Sequence, residues 1–345
     1  MQETEHLVHF KVLVFVFVIL PSIFLRAQEF PISRVDSLLK SGIKNIVNQD
    51  YISAEKNFNT LNTEYPLIPL GKIYLAANKI AKAYDYAEEY DEDFIESELD
   101  SANEIAKNIL DSNNNNIWAN YYYALAEGYS AYFDALNDNW LSAISTGLNS
   151  ISAFGTCLNL DNNFYDAYIA IGTYEYWMSR KTDFLNGLPF YEDNSDSGIE
   201  KLETAIDKFA YNSYLAINSL IWIYIDKENY SGAIELGEKA VRKFPNSRYF
   251  KWGLARAYED IDPDKSIKLY FEILNSFPLG LSQNHINEIV LKHLIAQQYV
   301  KMGKRESALS LCNEILSLGN LTDFELSKLG NRLERVKKLK DSLSN

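Results

Sequence analysis

Apolar and small positions return along this chain at a fixed interval. Leu220, Ile221 and Tyr224 recur as Leu254, Ala255 and Tyr258, 34 residues later, and again as Ile295, Ala296 and Tyr299 after a further 41. In each copy a small or apolar residue follows the tyrosine by nine (Ala233, Ile267, Ala308), and another comes seven later (Ala240, Leu274, Ile315). Pro245 and Pro278 close two of these units, and near the start Ala54, Phe58, Leu61 and Pro66 repeat the second half of the pattern. Spacings of three, four and seven put such side chains on one face of a helix, so each unit predicts two helices and a turn. Small residues let the two helices of a unit approach, large ones fill the gap to the next unit, and proline stops the second helix. One such unit cannot bury its apolar face alone, which predicts a stack.

Upstream the units are longer. Helices are expected over 70–90 and 94–110, with 113–116 as terminator, then over 117–133 and 140–160, closed by Asp161-Asn162-Asn163. A further helix over 164–179 carries Ile171, Gly172 and Glu175, which precede Leu220, Ile221 and Tyr224 by 49. That shift is one repeat with fifteen residues inserted, and the insertion falls between the two helices of its unit, within 181–197. Ser197-Gly198-Ile199-Glu200 reads as a capping box that starts the second helix. A charged helix after Phe324 (Lys328, Arg332, Arg335, Lys337, Lys338, Lys340) supplies the polar cap that an open stack requires.

The repeat resembles the tetratricopeptide repeat (TPR), a 34-residue helix–turn–helix. Gly237 departs from it, standing where that family often has a bulky aromatic, as does Lys251, where an aromatic would begin its unit. With no linker between units, the fold expected over 34–345 is all-α: a single right-handed α-solenoid of about seven TPR-like helix pairs with a C-terminal capping helix. The stretch from Gly172 through the insertion to Gly198-Ile199-Glu200-Lys201-Leu202 is also similar to a more specific group. These are the tetratricopeptide repeat domain 39 proteins, the yeast mitochondrial outer-membrane inclusion-clearance proteins and their bacterial envelope relatives. That resemblance implies scaffolding at membranes and carries no catalytic residue onto this chain.

Composition narrows the function. Fourteen per cent of the 345 residues are aromatic, 24 of them Tyr, with only 8 Pro and 15 Gly, which suits long helices. The formal net charge of −14 argues against nucleic acid, since duplex binders gain affinity by neutralising phosphates. It favours a neutral or basic ligand instead. The run 85–100 holds nine carboxylates and no cation, and reads as a solvated face or as a contact for a basic partner.

The first 27 residues read as an export signal: nine apolar residues over 12–20, then Leu25-Arg26-Ala27 as cleavage site, with Gln28 first in the mature chain. An uncleaved anchor over about 7–25 is the alternative. The expected location is the periplasm or envelope of a Gram-negative bacterium. Cys157 and Cys312 sit in helical apolar patterns and are expected as buried free thiols.

Candidate chemistry is thin. Outside the leader only His285 and His293 are available, expected as solvent-facing helix residues, and no metal, nucleotide or acyl-transfer motif occurs. Asp193-Asn194-Ser195-Asp196-Ser197-Gly198 imitates a calcium loop, but Thr204 stands where its closing glutamate belongs. Carboxylates such as Glu175 or Asp183 lack the shaped pocket that catalysis would need. No enzyme activity, cofactor or metal is expected.

Two features offer binding surface. One is the aromatic concentration around Trp118, Tyr121, Tyr122, Tyr123, Tyr168 and Trp177, most of which inter-repeat packing must claim. Tyrosines at 121–123 cannot all face inward on one helix, so some hydroxyls are expected in a groove. The other is the insertion, with Phe184 and Tyr191. The candidate ligand-binding set is therefore Trp118, Tyr121, Tyr122, Tyr168, Glu175, Trp177, Phe184 and Tyr191. The expected function is a non-catalytic envelope scaffold holding a protein or peptide in its concave groove, with peripheral membrane association compatible. The alternative is a carrier of lipid or another small apolar ligand inside the superhelix.

Overall fold

The computed structural model describes residues 29–182, 192–208, 210–277 and 284–344. Helices come in seven consecutive pairs: α1 (Ser33–Val47) with α2 (Tyr51–Glu64), α3 (Leu70–Tyr86) with α4 (Glu92–Ser112), and α5 (Ile117–Leu136) with α6 (Trp140–Leu160). Then follow α7 (Tyr165–Lys181) with α8 (Ser195–Asp207), α9 (Ser213–Asp226) with α10 (Tyr230–Lys243), α11 (Arg248–Tyr258) with α12 (Pro263–Leu274), and α13 (Ile286–Lys301) with α14 (Arg305–Ser317). Each helix packs on its neighbours in sequence, which makes the chain an α-solenoid.

Four of the seven pairs share one turn that leads straight into the second helix. A residue in the left-handed region (Gln49, Asp138, Glu228 or Gly303) follows the first helix. The next residue then donates its N–H back five positions, from Asp50 to Asn45, Asn139 to Asp134, Asn229 to Tyr224 and Lys304 to Tyr299, at 2.8–2.9 Å. This closure satisfies carbonyls that the helix end leaves open. Tyr224 and Tyr299 are the tyrosines that define the repeat in sequence. The second helices open on side-chain caps at Asp50 and Asn229, and Asp262 caps α12 ahead of Pro263.

Close approaches fall where the sequence placed small residues. Gly172 of α7 and Gly198 of α8 face each other so tightly that a Cβ on either would lie 2.5–2.6 Å from the other's carbonyl oxygen. Gly237 is compensated by Leu254, whose side chain lies 3.1 Å from where a Cβ would stand. Cys157 and Cys312 are buried free thiols, as their patterns predict.

Three expectations need correction. Helix α8 begins at Ser195, two residues before the expected capping box, and no side chain caps it. Asn194 N–H is held by Ser179 Oγ at 2.9 Å and Asp193 accepts from Ser195 N–H, so the chain is tied to α7 earlier, while Ser197 Oγ takes Lys201 Nζ. The capping box lies instead at Thr322 and Glu325 and opens α15 (Asp323–Leu329). The cap is two helices, since the chain turns at Gly330 (φ +48°) before α16 (Arg332–Ser344).

The solenoid is also curled until its beginning meets its end. Phe30 N–H donates to Tyr211 Oη at 2.6 Å, and Tyr211 Oη in turn contacts Asp36. Gln49 accepts from Arg248 N–H at 3.0 Å. Arg248, whose side chain is 6% exposed, reaches Asp85 with Nε at 2.9 Å and is stacked between Phe277 (4.6 Å) and Tyr86 (5.3 Å). Asp85 also accepts from Tyr51 Oη at 3.0 Å, and Asn284 and Asn287 hold the carbonyls of Asp85, Tyr86 and Ala87 at 2.9–3.2 Å. The first helices of the pairs and their flanking turns make these contacts, so those helices line the inner side of the curl.

Candidate functional site

The inner side differs along its length. Over the early pairs it is filled. Tyr74 of α3 and Tyr121 of α5 are fully buried, and Tyr129 packs edge-on against Tyr74 with centroids 6.3 Å apart. Asn212, in the turn before α9, sits among them and donates Nδ2 to Tyr74 Oη (2.8 Å) and to Asp166 Oδ1 (3.1 Å). Asp166 of α7 also accepts the backbone N–H of Asn212 (2.9 Å) and Tyr211 (3.2 Å). Burial pushes the Asp166 carboxyl up to about 6, even with those donors holding it down. Four successive first helices are thus locked by one buried polar network.

Over the last pairs a cleft of about 280 Å³ stays open. Its walls are Trp222 of α9, Trp252 and Arg256 of α11, Tyr270 of α12, His293, Leu294 and Gln297 of α13, and Arg332 and Arg335 of α16. Trp222 is 37% exposed. Arg256 pairs with Glu259, which also accepts from Tyr270 Oη at 2.7 Å. Arg332 and Arg335 have no carboxylate within ion-pair distance among the described residues. Arg332 Nη1 lies instead 3.3 Å from His293 Nδ1. His293 is 2% exposed, which corrects its expected solvent-facing position. Burial, followed by the field of Arg332 and Arg335, lowers its pKa to about 4, so the ring is neutral at ordinary pH and Nδ1 accepts from the guanidinium.

The sequence-derived candidates lie elsewhere. Trp118 packs against Phe30 (4.6 Å), Phe164 (5.3 Å) and Tyr121 (5.8 Å). Tyr121 is 0% and Tyr122 5% exposed, so of the three consecutive tyrosines only Tyr123 reaches solvent in part, and the expected groove hydroxyls of Tyr121 and Tyr122 are closed off. Phe154 and Phe164, next along the stack, cover Tyr121, and Phe30 from ahead of α1 covers Tyr122. On α7, Tyr168 donates to the Asn162 carbonyl at 3.0 Å, Glu175 pairs with Lys201 of α8 at 2.7 Å, and Trp177 packs on Tyr176 at 5.1 Å. Phe184 and Tyr191 lie outside the described residues. The six described candidates therefore form no common open surface.

The repeat register itself held the missing signal. Two residues past Leu220, Leu254 and Ile295 stand Trp222, Arg256 and Gln297, and two residues before them stand Asn218, Trp252 and His293. Five of these six line the cleft. In a solenoid, equivalent positions of successive units form one continuous strip. Arg332 and Arg335 lie outside the repeats, and no periodicity points to them.

Among the described residues no helix is long and apolar enough to cross a membrane, and no three His, Cys, Asp or Glu side chains are grouped to hold a metal ion. No protein-family model matches the chain, and no curated protein does. Solved TPR structures do resemble it. A TPR protein from Parabacteroides merdae is 13% identical, with 90% of this chain and 99% of that chain covered and a TM-score of 0.38. The C-terminal part of a TPR protein from Cytophaga hutchinsonii is 16% identical (84% and 99% covered, TM-score 0.40). NprR, solved with its cognate peptide NprX, is 14% identical (92% and 89% covered, TM-score 0.44). The superpositions are partial, and what those proteins bind remains a property of theirs.

Proposed function

We propose that this protein is a non-catalytic adaptor of the cell envelope that holds an extended segment of a protein partner along the inner strip of α9, α11 and α13. The observation that carries this reading is the open cleft beside Trp222 and Trp252, on an inner side that tyrosines fill over the early pairs. Partly exposed tryptophans flanked by arginines are the side chains that contribute most at protein interfaces. Export rests on the apolar leader at 1–27, and amino-terminal sequencing of the secreted chain tests it.

A photoreactive residue in place of Trp222 is expected to capture a protein from envelope extract, and the same residue at the exposed Lys239 of α10 none above background. Equal capture at both positions refutes the adaptor reading. The carrier reading has less support, because tyrosines fill the inner side over the early pairs and the remaining cleft is small and cationic. A lipid-sized mass on the native protein would restore it.

A further inference from the structure

Alone among the described helices, α6 carries no charged side chain along its 21 residues, in a chain that is 23% charged. Every other second helix of a pair carries charges of both signs. One face of α6 is buried through Ser150, Ala153, Phe154 and Cys157, and packs on α5, where Ser150 Oγ donates to the Ala124 carbonyl at 2.7 Å. The opposite face runs through Leu141, Ile144, Leu148, Ser152 and Gly155 at helical spacing. Leu141 is 87% exposed there, and Ile144, Leu148 and the adjacent Trp140 are each more than half exposed. A helix that is apolar or neutral all round belongs inside a protein, and this one has half of its surface uncovered. Gly155 is the second oddity. A Cβ in its place would meet nothing within 4 Å, whereas Gly172 and Gly198 are held to glycine by their own chain. A glycine within a helix costs stability relative to alanine, and nothing in a single copy requires it at 155.

We infer that the outer face of α6 joins two copies of this chain, the two helices lying antiparallel about a two-fold axis at Leu148. In such an interface a patch meets itself, and the spacings of three, four, four and three make this stripe symmetric about 148. Leu148 then meets its own copy, Ile144 faces Ser152, and Leu141 faces Gly155. Each large side chain lies over a small one, and the glycine makes room for the leucine. A net charge of −14 on each copy opposes association, so copies approach best through a face that carries no charge. The four exposed apolar side chains present roughly 500 Å² per copy, and about 1,000 Å² for the pair is the threshold of a specific interface. A lipid surface would accept the same apolar side chains, but it has no use for the glycine, and helices that lie in lipid interfaces are rich in cations, of which α6 has none. The cleft at Trp222 is on the inner side, so this inference does not depend on the adaptor reading.

The test is sedimentation velocity of the chain from Gln28 onward, which contains every described residue. A monomer–dimer equilibrium is expected, with a dissociation constant on the order of micromolar for an interface of this size. Leu148→Glu, which sets two carboxylates at the axis, and Gly155→Leu, which fills the space for Leu141, should each weaken the dimer about tenfold or more. Lys239→Glu, exposed on α10, should leave it within about twofold. Unchanged thermal melts of the two α6 variants at low concentration show that the monomer fold is kept. Cysteine linking fixes the orientation. Leu148→Cys should form a disulfide with its own copy on mild oxidation, and Leu141→Cys should link to Gly155→Cys in a mixture but not to itself, since antiparallel helices hold the two 141 positions about 21 Å apart. The native thiols are buried and give a low background. A monomer at every concentration, a dimer that both α6 variants leave intact, or Leu141→Cys linking to itself in preference to Gly155→Cys overturns the inference. So does a monomer that binds phosphatidylcholine vesicles and loses them in Leu148→Glu, which gives the face to lipid.

Discussion

The early and late pairs of this solenoid are built from the same repeat, yet their inner faces have opposite character. Around α3, α5 and α7 large tyrosines meet across the curl and are tied by Asn212 and Asp166. Around α9, α11 and α13 the equivalent strip carries Trp222, Trp252 and Arg256 and leaves space. The first face has turned its polar groups to one another and gained rigidity. The second stays open, with Arg332 and Arg335 outside ion-pair distance of any carboxylate among the described residues. One architecture thus supplies both a locked frame and a receptive surface, according to what stands at the inner positions.

Substitutions that truncate each face should separate them most clearly. Tyr121→Ala is expected to cost about 4 kcal/mol of stability, since a buried aromatic is removed and Asn212 loses a neighbour. Trp222→Ala, on the partly exposed face, should cost about 1 kcal/mol and abolish partner capture instead. Urea unfolding of both variants checks the contrast, and equal losses would erase it.

The clasp that brings the two faces into one curl comes next. Arg248→Ala leaves Asp85 with Tyr51 as its remaining side-chain partner, and should cost about 3 kcal/mol. Small-angle scattering should show an increased radius of gyration, because the first pairs no longer meet the last. An unchanged radius would mean that the packed tyrosines alone keep the curl closed.

The two faces should also answer pH in opposite directions. Asp166, with its pKa raised to about 6 from 3.8, binds a proton more readily folded than unfolded, so its contribution to stability is full below pH 4 and declines up to pH 6. His293, lowered to about 4 from 6.5, must take up a proton on unfolding, so its contribution is full above pH 6.5 and is lost as pH falls toward 4. Relative to wild type, Asp166→Asn should gain stability, and His293→Gln lose it, as pH rises from 4 to 6.5. Each slope should amount to about 2–3 kcal/mol at most. Thermal melts across that range show whether the signs hold.

The smallest effect belongs to the shared turn. Glu228 occupies the left-handed position that Gly303 holds in the last pair. Glu228→Gly should therefore stabilise by about 0.5–1 kcal/mol, or a few degrees of melting temperature, without affecting either face.

Much of the fold was legible because stacking is local. The columns Leu220/Leu254/Ile295 and Tyr224/Tyr258/Tyr299 predict helices, pair boundaries and register, and the observed pairs follow them. Seven pairs and the buried thiols came from spacing of three, four and seven and from small residues such as Gly172. The site was only half legible. Trp222, Arg256 and Gln297 share a column that periodicity exposes once it is read across units. Tyr121 and Tyr122 misled, because aromatic abundance alone does not say which tyrosines curling will bury.

Sequence alone determined the all-α repeat, since each unit depends on residues within some forty positions and the next unit only repeats it. Tertiary structure alone decided how far the stack curls. Asp85, first of an acidic run that reads as solvated, became the partly buried partner of Arg248, 163 residues away. Arg332 and Arg335, read as a solubilising cap, came to face Trp222 and His293. Small rotations per pair accumulate over seven pairs, and no short-range pattern encodes which distant side chains that sum brings together.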